Sequence, residues 1–215
     1  MSALKSRLAI GLIGFPLVVL AVLSGGWIFN SLIVLAALIA FREFLLLQSK
    51  NDNKILWIVF GFFYVLGSLF CLLVLRDIDT LLGSYFTLML FAGVSVNDSF
   101  SYIFGKWIGG KKIAPSMSPN KTYAGLIGGL FSTILFIFLF DKFVFNLTFL
   151  DKCLFIIIIN IIGFFGDIFE SSLKRRVKIK DSSRLLMGHG GMLDRLDSLI
   201  LTTPVTLFYV IAYYL

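Results

Sequence analysis

Residues 8 to 41 read LAIGLIGFPLVVLAVLSGGWIFNSLIVLAALIAF, thirty-four residues without one charged side chain. Roughly 20 apolar residues span the hydrocarbon core of a bilayer, so this stretch is too long for one crossing and suits two. Ser24-Gly25-Gly26 near its middle supplies a tight turn between them. Further uncharged apolar runs follow at Ile55 to Leu75, Thr80 to Val96, Tyr123 to Phe140, Cys153 to Gly166 and Leu199 to Leu215. Pro16 and Pro204 fall inside runs, where a membrane helix tolerates a kink. The fold expected is all-α: a polytopic integral membrane helical bundle with seven transmembrane helices, six and eight being the neighbouring counts.

The composition agrees. Of 215 residues 59% are hydrophobic, 24 are phenylalanine and only 14% are charged, against about 25% charged in soluble domains. Mean hydropathy is +0.97. Lys5 and Arg7 ahead of the first run imitate a signal peptide, but the chain runs straight into a second span, so a retained signal anchor is expected. Cys71 and Cys153 sit at or in apolar runs with no CxxC spacing and read as small packing residues.

Charge sets the orientation. With a cytoplasmic N-terminus and seven alternating spans, sixteen of the nineteen basic residues fall inside; Arg76, Lys142 and Lys152 alone fall outside. A miscount by one span between the two charge-rich loops would put them on opposite sides and destroy this bias.

No internal repeat divides the chain, which reads as a single membrane domain, residues 1–215. Residues 1–96 are nearly all span with short polar joints, where Arg42 and Glu43 read as an interfacial pair. Residues 97–215 form a catalytic part with two long cytoplasmic segments. The first reads NDSFSYIFGKWIGGKKIAPSMSPNKTYAGLIGG from Asn97. Asp98 follows a span directly. An acid at membrane depth costs about 2.5 to 3.5 kcal/mol on insertion scales, which makes it a functional candidate; the alternative is that Asn97 caps a new helix. Pro115, Ser118, Pro119, Lys121 and Thr122 precede the fifth span and suit a phosphate site at a helix N-terminus. A basic loop touching anionic headgroups would read similarly.

The second segment reads GDIFESSLKRRVKIKDSSRLLMGHGGMLDRLDS from Gly166. Asp167, Glu170, Ser171 and Lys174 share one helical face, and Asp194 and Asp197 are again three apart. Acids at two converging helix ends beside Lys174, Arg175, Arg176, Lys178 and Lys180 suit a magnesium-bound polyphosphate. For Arg176 and Lys178 a lipid-surface patch is an equal reading. His189, the chain's one histidine, lies between glycines that let backbone approach an anion. There is no HxxxH pair, no Walker A sequence and no dinucleotide fingerprint.

These residues carry a resemblance. The order S-x-L-K-R, K-D, H-G-G-x-x-D-R-x-D, made here by Ser171, Lys174, Arg175, Lys180, Asp181, His189, Gly190, Gly191, Asp194, Arg195 and Asp197, is similar to the signature of the phosphatidate cytidylyltransferases, or CDP-diglyceride synthases. Upstream, Asp98, Ser118, Pro119, Lys121 and Thr122 match the family's other shared region. Together the two cover about 100 residues of the second half. The chain departs from the pattern at Ala124, where a glutamate is usual, and at Met187, where a proline is usual.

The resemblance implies transfer of a cytidylyl group from CTP to phosphatidate, giving CDP-diacylglycerol and pyrophosphate, by a homodimer in the bacterial inner membrane with its site facing the cytoplasm. The partners implied are CTP, phosphatidic acid and the bilayer, with no nucleic acid. Mg2+ is the implied cofactor, with K+ as a second ion. Asp167, Asp194 and Asp197 are then expected as metal ligands. Lys174, Arg175, Asp181, His189, Asp194 and Asp197 are the expected catalytic residues. Asn97, Asp98, Ser118, Lys121, Thr122, Gly190, Gly191 and Arg195 are expected to bind substrate. Two other readings stay open: a CTP-dependent polyprenol or dolichol kinase, and an ion-coupled transporter using Asp98 and Asp167. A transporter should show paired halves, and no such symmetry is visible.

Overall fold

The computed structural model describes residues 3–50, 52–144, 147–183, 185 and 190–214, with side chains described from residue 14 onward and not at 143–144. The N-terminal apolar stretch folds as two helices, α1 (Ala3–Ser24) and α2 (Gly26–Leu46). Gly25 and Gly26 turn the chain between them at φ +60° and +51°. Arg76, buried, donates from Nε to the Val22 carbonyl at 2.6 Å and so satisfies the end of α1.

This turn has no room for a side chain. A Cβ on Gly25 would stand 2.3 Å from the Arg76 guanidinium, and its φ 60°, ψ −154° is glycine territory. Gly25→Ala is therefore expected to destabilise the protein by about 1–3 kcal/mol, read as a lower unfolding midpoint in detergent.

α3 (Lys54–Gly61), a π-helical turn (Phe62–Gly67) and α4 (Ser68–Asp77) make one continuous rod. α5 (Leu82–Trp107) leads into a hairpin of β1 (Lys112–Ala114) and β2 (Ser118–Thr122), and α6 (Tyr123–Val144) follows directly. α7 (Phe149–Ile157), a second π turn (Ile158–Ile162) and α8 (Gly163–Arg176) form another rod, and α9 (Leu193–Tyr214) closes the bundle. Pro16 and Pro204 stay inside helices, as expected of spans.

Among the described residues, five helices are long and apolar enough to cross a membrane: Gly26–Leu46, Lys54–Asp77, Tyr123–Lys142, Phe149–Arg176 and Leu193–Tyr214. The protein is a helical membrane protein. Its outer surface carries large apolar side chains such as Leu35, Phe63, Phe131 and Phe208, as a lipid-facing bundle must.

The hairpin was not expected from an all-helical reading. Pro115 and Pro119 forbid a helix through this stretch, and the backbone pairs with itself instead, Lys112 opposite Thr122 and Ala114 opposite Ser118. At the end away from the hairpin, Thr148 and Asp151 form a capping box for α7. Asp151 also accepts hydrogen bonds from Tyr209 and, at 2.7 Å, Tyr214 of α9.

Candidate active site

Two close helix crossings bring the polar segments together. At the first, α5 meets α6 across glycines: a Cβ at Gly125 would stand 2.6 Å from the Ser101 carbonyl, and one at Gly129 2.1 Å from Ser101 Oγ and 2.4 Å from Asn97 Oδ1. Small residues let membrane helices touch backbone to backbone. Asn97 and Asp98 are thereby set beside Lys121 and Thr122. At the second crossing a Cβ on Gly166 would lie 2.6 Å from the Asp197 carbonyl. Asp167, the next residue, and Asp197 therefore open on the same space.

That space is a cavity of about 1040 Å³. Its polar lining includes Asn97, Asp98, Ser118, Lys121, Thr122, Asp167, Asp194, Arg195 and Asp197, all expected from the sequence, and Ser101 and Asn120, which were not. Its apolar lining includes Phe15 and Val18 of α1 and Phe91, Ala92 and Val94 of α5.

The hairpin is tied to α8 twice. Lys121 Nζ lies 2.6 Å from Asp167 Oδ2 and 4.5 Å from the centre of the Phe164 ring. Arg175 donates from Nε to the Met117 carbonyl at 3.2 Å and from Nη1 to the Ile179 carbonyl at 2.6 Å, so its guanidinium holds backbone. Ser171 Oγ donates to Asp167 Oδ1 at 3.3 Å. Thr122 Oγ1 accepts the Gly125 amide at 3.1 Å and caps the start of α6.

Asp194 is held more tightly than a free ligand would be. Lys174 Nζ donates to its Oδ1 at 2.5 Å. Its Oδ2 accepts from Ser182 N and Ser182 Oγ, both at 2.9 Å, and from Gly191 N at 2.6 Å. Lys174 also pairs with Glu170 at 2.5 Å; Glu170 is fully buried and Lys174 nearly so. Gly190 adopts φ +79°, and a Cβ there would stand 2.4 Å from Asp194 Oδ2, which is why glycine is required.

The residue that sequence reasoning missed is Glu43. It is only 2% exposed, so it is no interfacial partner of Arg42. Its Oε2 accepts from Leu193 N at 2.8 Å and lies 3.0 Å from Ser182 Oγ, whose single proton it shares with Asp194 Oδ2, and its Oε1 accepts from Ser183 Oγ at 2.6 Å. The available signal was an acid inside an otherwise apolar helix end.

Several expected residues stand apart from the cavity. Asp181 is exposed. Arg176 pairs with Asp52 at 2.5 Å and lies over Trp57, which makes it a tie to the α2–α3 loop. There the Ser49 amide, at 2.9 Å, and then Arg176 hold the Asp52 carboxyl below the usual carboxylate range. His189, Gly188, Met187 and Arg184 lie outside the described residues.

Among the described residues no group of three or more Asp, Glu, His or Cys side chains is assembled to hold an ion unaided. Magnesium does not require one, because it takes one or two carboxylates and completes its shell with water and substrate phosphate oxygens. Asp98, Asp167 and Asp197, on one cavity, fit that donor set.

Comparison with known proteins shows what the chain is similar to. Residues 45–213 match the model of the cytidylyltransferase family. A protein named phosphatidate cytidylyltransferase from Rickettsia felis is 34% identical over 209 residues, 94% of this chain and 90% of its own length. One of the same name from Staphylococcus haemolyticus is 43% identical over 124 residues, 57% of this chain and 48% of that protein. The uncharacterized protein YnbB of Escherichia coli is 42% identical over 131 residues, 61% of this chain and 44% of that protein. The chain thus spans about half the length of the last two relatives.

Proposed function

The chain belongs to the cytidylyltransferase family, and from that premise we propose that it transfers the cytidylyl group of CTP to phosphatidate, releasing pyrophosphate. One observation carries the reading: a single cavity is lined both by carboxylates, Lys121 and Arg195 and by phenylalanine and aliphatic side chains. A lipid phosphate combines the same two chemistries, an anionic head on apolar chains.

In the reaction an oxygen of the lipid phosphate attacks the α-phosphorus of CTP. The bond from that phosphorus to the oxygen bridging to the β-phosphate breaks, and pyrophosphate leaves with the electron pair. The nucleophile is already an anion, so no strong base is needed. The task is to hold two like-charged groups in line. Lys121 and Arg195 neutralise phosphate oxygens. The hairpin and the start of α6, fixed by the Thr122 cap, position the triphosphate. The apolar wall keeps the acyl chains and excludes water from the reacting phosphorus.

Asp167 and Asp197, with Asp98 beside them, would hold magnesium, which supplies charge neutralisation at the reacting phosphates. Asp194, with both oxygens engaged, fixes the Ser182 and Gly191 amides and Lys174. Lys174 and Arg175 act on protein groups. A potassium ion would be the second cation.

The same reading sets the membrane arrangement. α1 and α5 cross as well, giving seven spans. The basic loops and the cavity's charged side chains then face the cytoplasm of a bacterium, at its inner membrane, where CTP is found. The working unit is a homodimer.

Detergent-solubilised protein given phosphatidate, magnesium and CTP labelled at the α-phosphate is expected to put label into the lipid fraction. Label passing instead from the γ-phosphate of CTP to a polyprenol would replace this reading with a kinase.

A further inference from the structure

Glu43 belongs to α2, and it does not line the cavity at all. Its three donors come from the two ends of the segment between α8 and α9: Ser182 and Ser183 on one side, Leu193 on the other. Among the described residues no Lys or Arg nitrogen lies within 4.0 Å of its carboxylate. These donors, helped by the positive end of α9, stabilise the buried carboxylate, and in doing so they are themselves fixed.

The backbone is laid directly against it. A Cβ on Gly191 would stand 2.3 Å from Glu43 Oε2 and 2.2 Å from Ser182 Oγ. Asp194 holds the same segment from the other side, through Ser182 and the Gly191 amide. Two acids from opposite ends of the sequence thus clamp one short stretch, and Ser182 Oγ lies between them.

We propose that Glu43 is a positioning residue for the cytidylyl-transfer site: it pins Ser182, Ser183, Gly191 and the first turn of α9, and so sets Asp194 and Asp197 against the rest of the cavity. This rests on the reaction assigned above. It gives α2 a part in the site although none of its side chains need touch substrate.

Glu43→Gln keeps the shape but turns an NH2 toward donors that need an acceptor. The expected result is a kcat at least 30-fold lower with KM for phosphatidate within two-fold of wild type. Amides of Ser182, Gly191 and Leu193 should exchange hydrogen at least ten-fold faster, while those of α5 and α6 are unchanged. Asp151→Asn calibrates a purely structural loss, since Asp151 anchors tyrosines at the far end of the bundle.

A kcat within two-fold of wild type overturns the proposal, as does a loss no larger than that of Asp151→Asn at equal melting temperature. If Glu43→Gln does not fold, Ser183→Ala, which deletes one donor, should still lower kcat about three-fold or more; an unchanged kcat overturns the idea. If the wild-type protein transfers no label, the reaction assignment has failed and exchange alone decides: acceleration confined to 182–193 upholds the clamp, and unchanged exchange removes it.

Discussion

Lys174→Met is expected to lower stability by about 3–5 kcal/mol. Lys174 sits between Glu170, fully buried, and Asp194, each 2.5 Å away. Removing its ammonium leaves two neighbouring carboxylates in a largely dry interior with no cation between them. Asp194 retains three donors, but no hydrogen bond from another side chain to Glu170 is present among the described residues. Against a total stability of about 5–15 kcal/mol, the variant should melt far below wild type in detergent and accumulate poorly. The double variant Glu170→Gln/Lys174→Met should recover part of the loss, because the uncompensated charge is then gone. A single variant that melts within two or three degrees of wild type would mean that Lys174 is not the counterion described.

Asp197→Asn is expected to do the reverse: turnover falls about 10³-fold, roughly 4 kcal/mol of transition-state stabilisation, with stability unchanged or slightly raised. Asp197 shares its cavity with Asp98 and Asp167, and like charges on one cavity repel. Asparagine retains an oxygen for the Ser198 amide, which Asp197 Oδ1 accepts at 2.6 Å. It removes one charge that, on the function proposed above, would help to hold a magnesium-bound triphosphate. Label transfer and melting temperature measured on one preparation separate the two effects. Loss of both together would make Asp197 structural, and activity within a few-fold of wild type would take it out of the site. Asp194→Asn could not separate these, because its carboxylate also holds the loop.

The apolar runs were legible because hydropathy over twenty residues is a strong signal, and each of the five helices long and apolar enough to cross a membrane lies on one of them. The two polar segments were legible for the converse reason: acids, lysines and glycines crowded between apolar runs have few other uses. Glu43 reads in the sequence as an interfacial pair with the adjacent Arg42, since its actual partners lie 139 to 150 residues away. The shared face of Asp167, Glu170, Ser171 and Lys174 was read correctly as helical. What it meets depends on the α8–α9 crossing at Gly166, which no local pattern announces. Lys174 and Arg175 read in the sequence as phosphate ligands, and the protein groups they hold, Asp194 and the Met117 and Ile179 carbonyls, are seen only in three dimensions.

The π turn at Ile158–Ile162 sets the phase of its rod. Asp151 meets α9 at one end through Tyr209 and Tyr214, and Glu170 meets it at the other through Lys174 and Asp194. These two acids are nineteen residues apart. At about 100° per residue, an unbroken α-helix would point the second about 100° away from the direction of the first. A π turn takes up one residue more than an α turn and cancels that angle, so both ends face the same neighbour. The middle of this rod can therefore vary in which apolar side chains it carries far more readily than in how many.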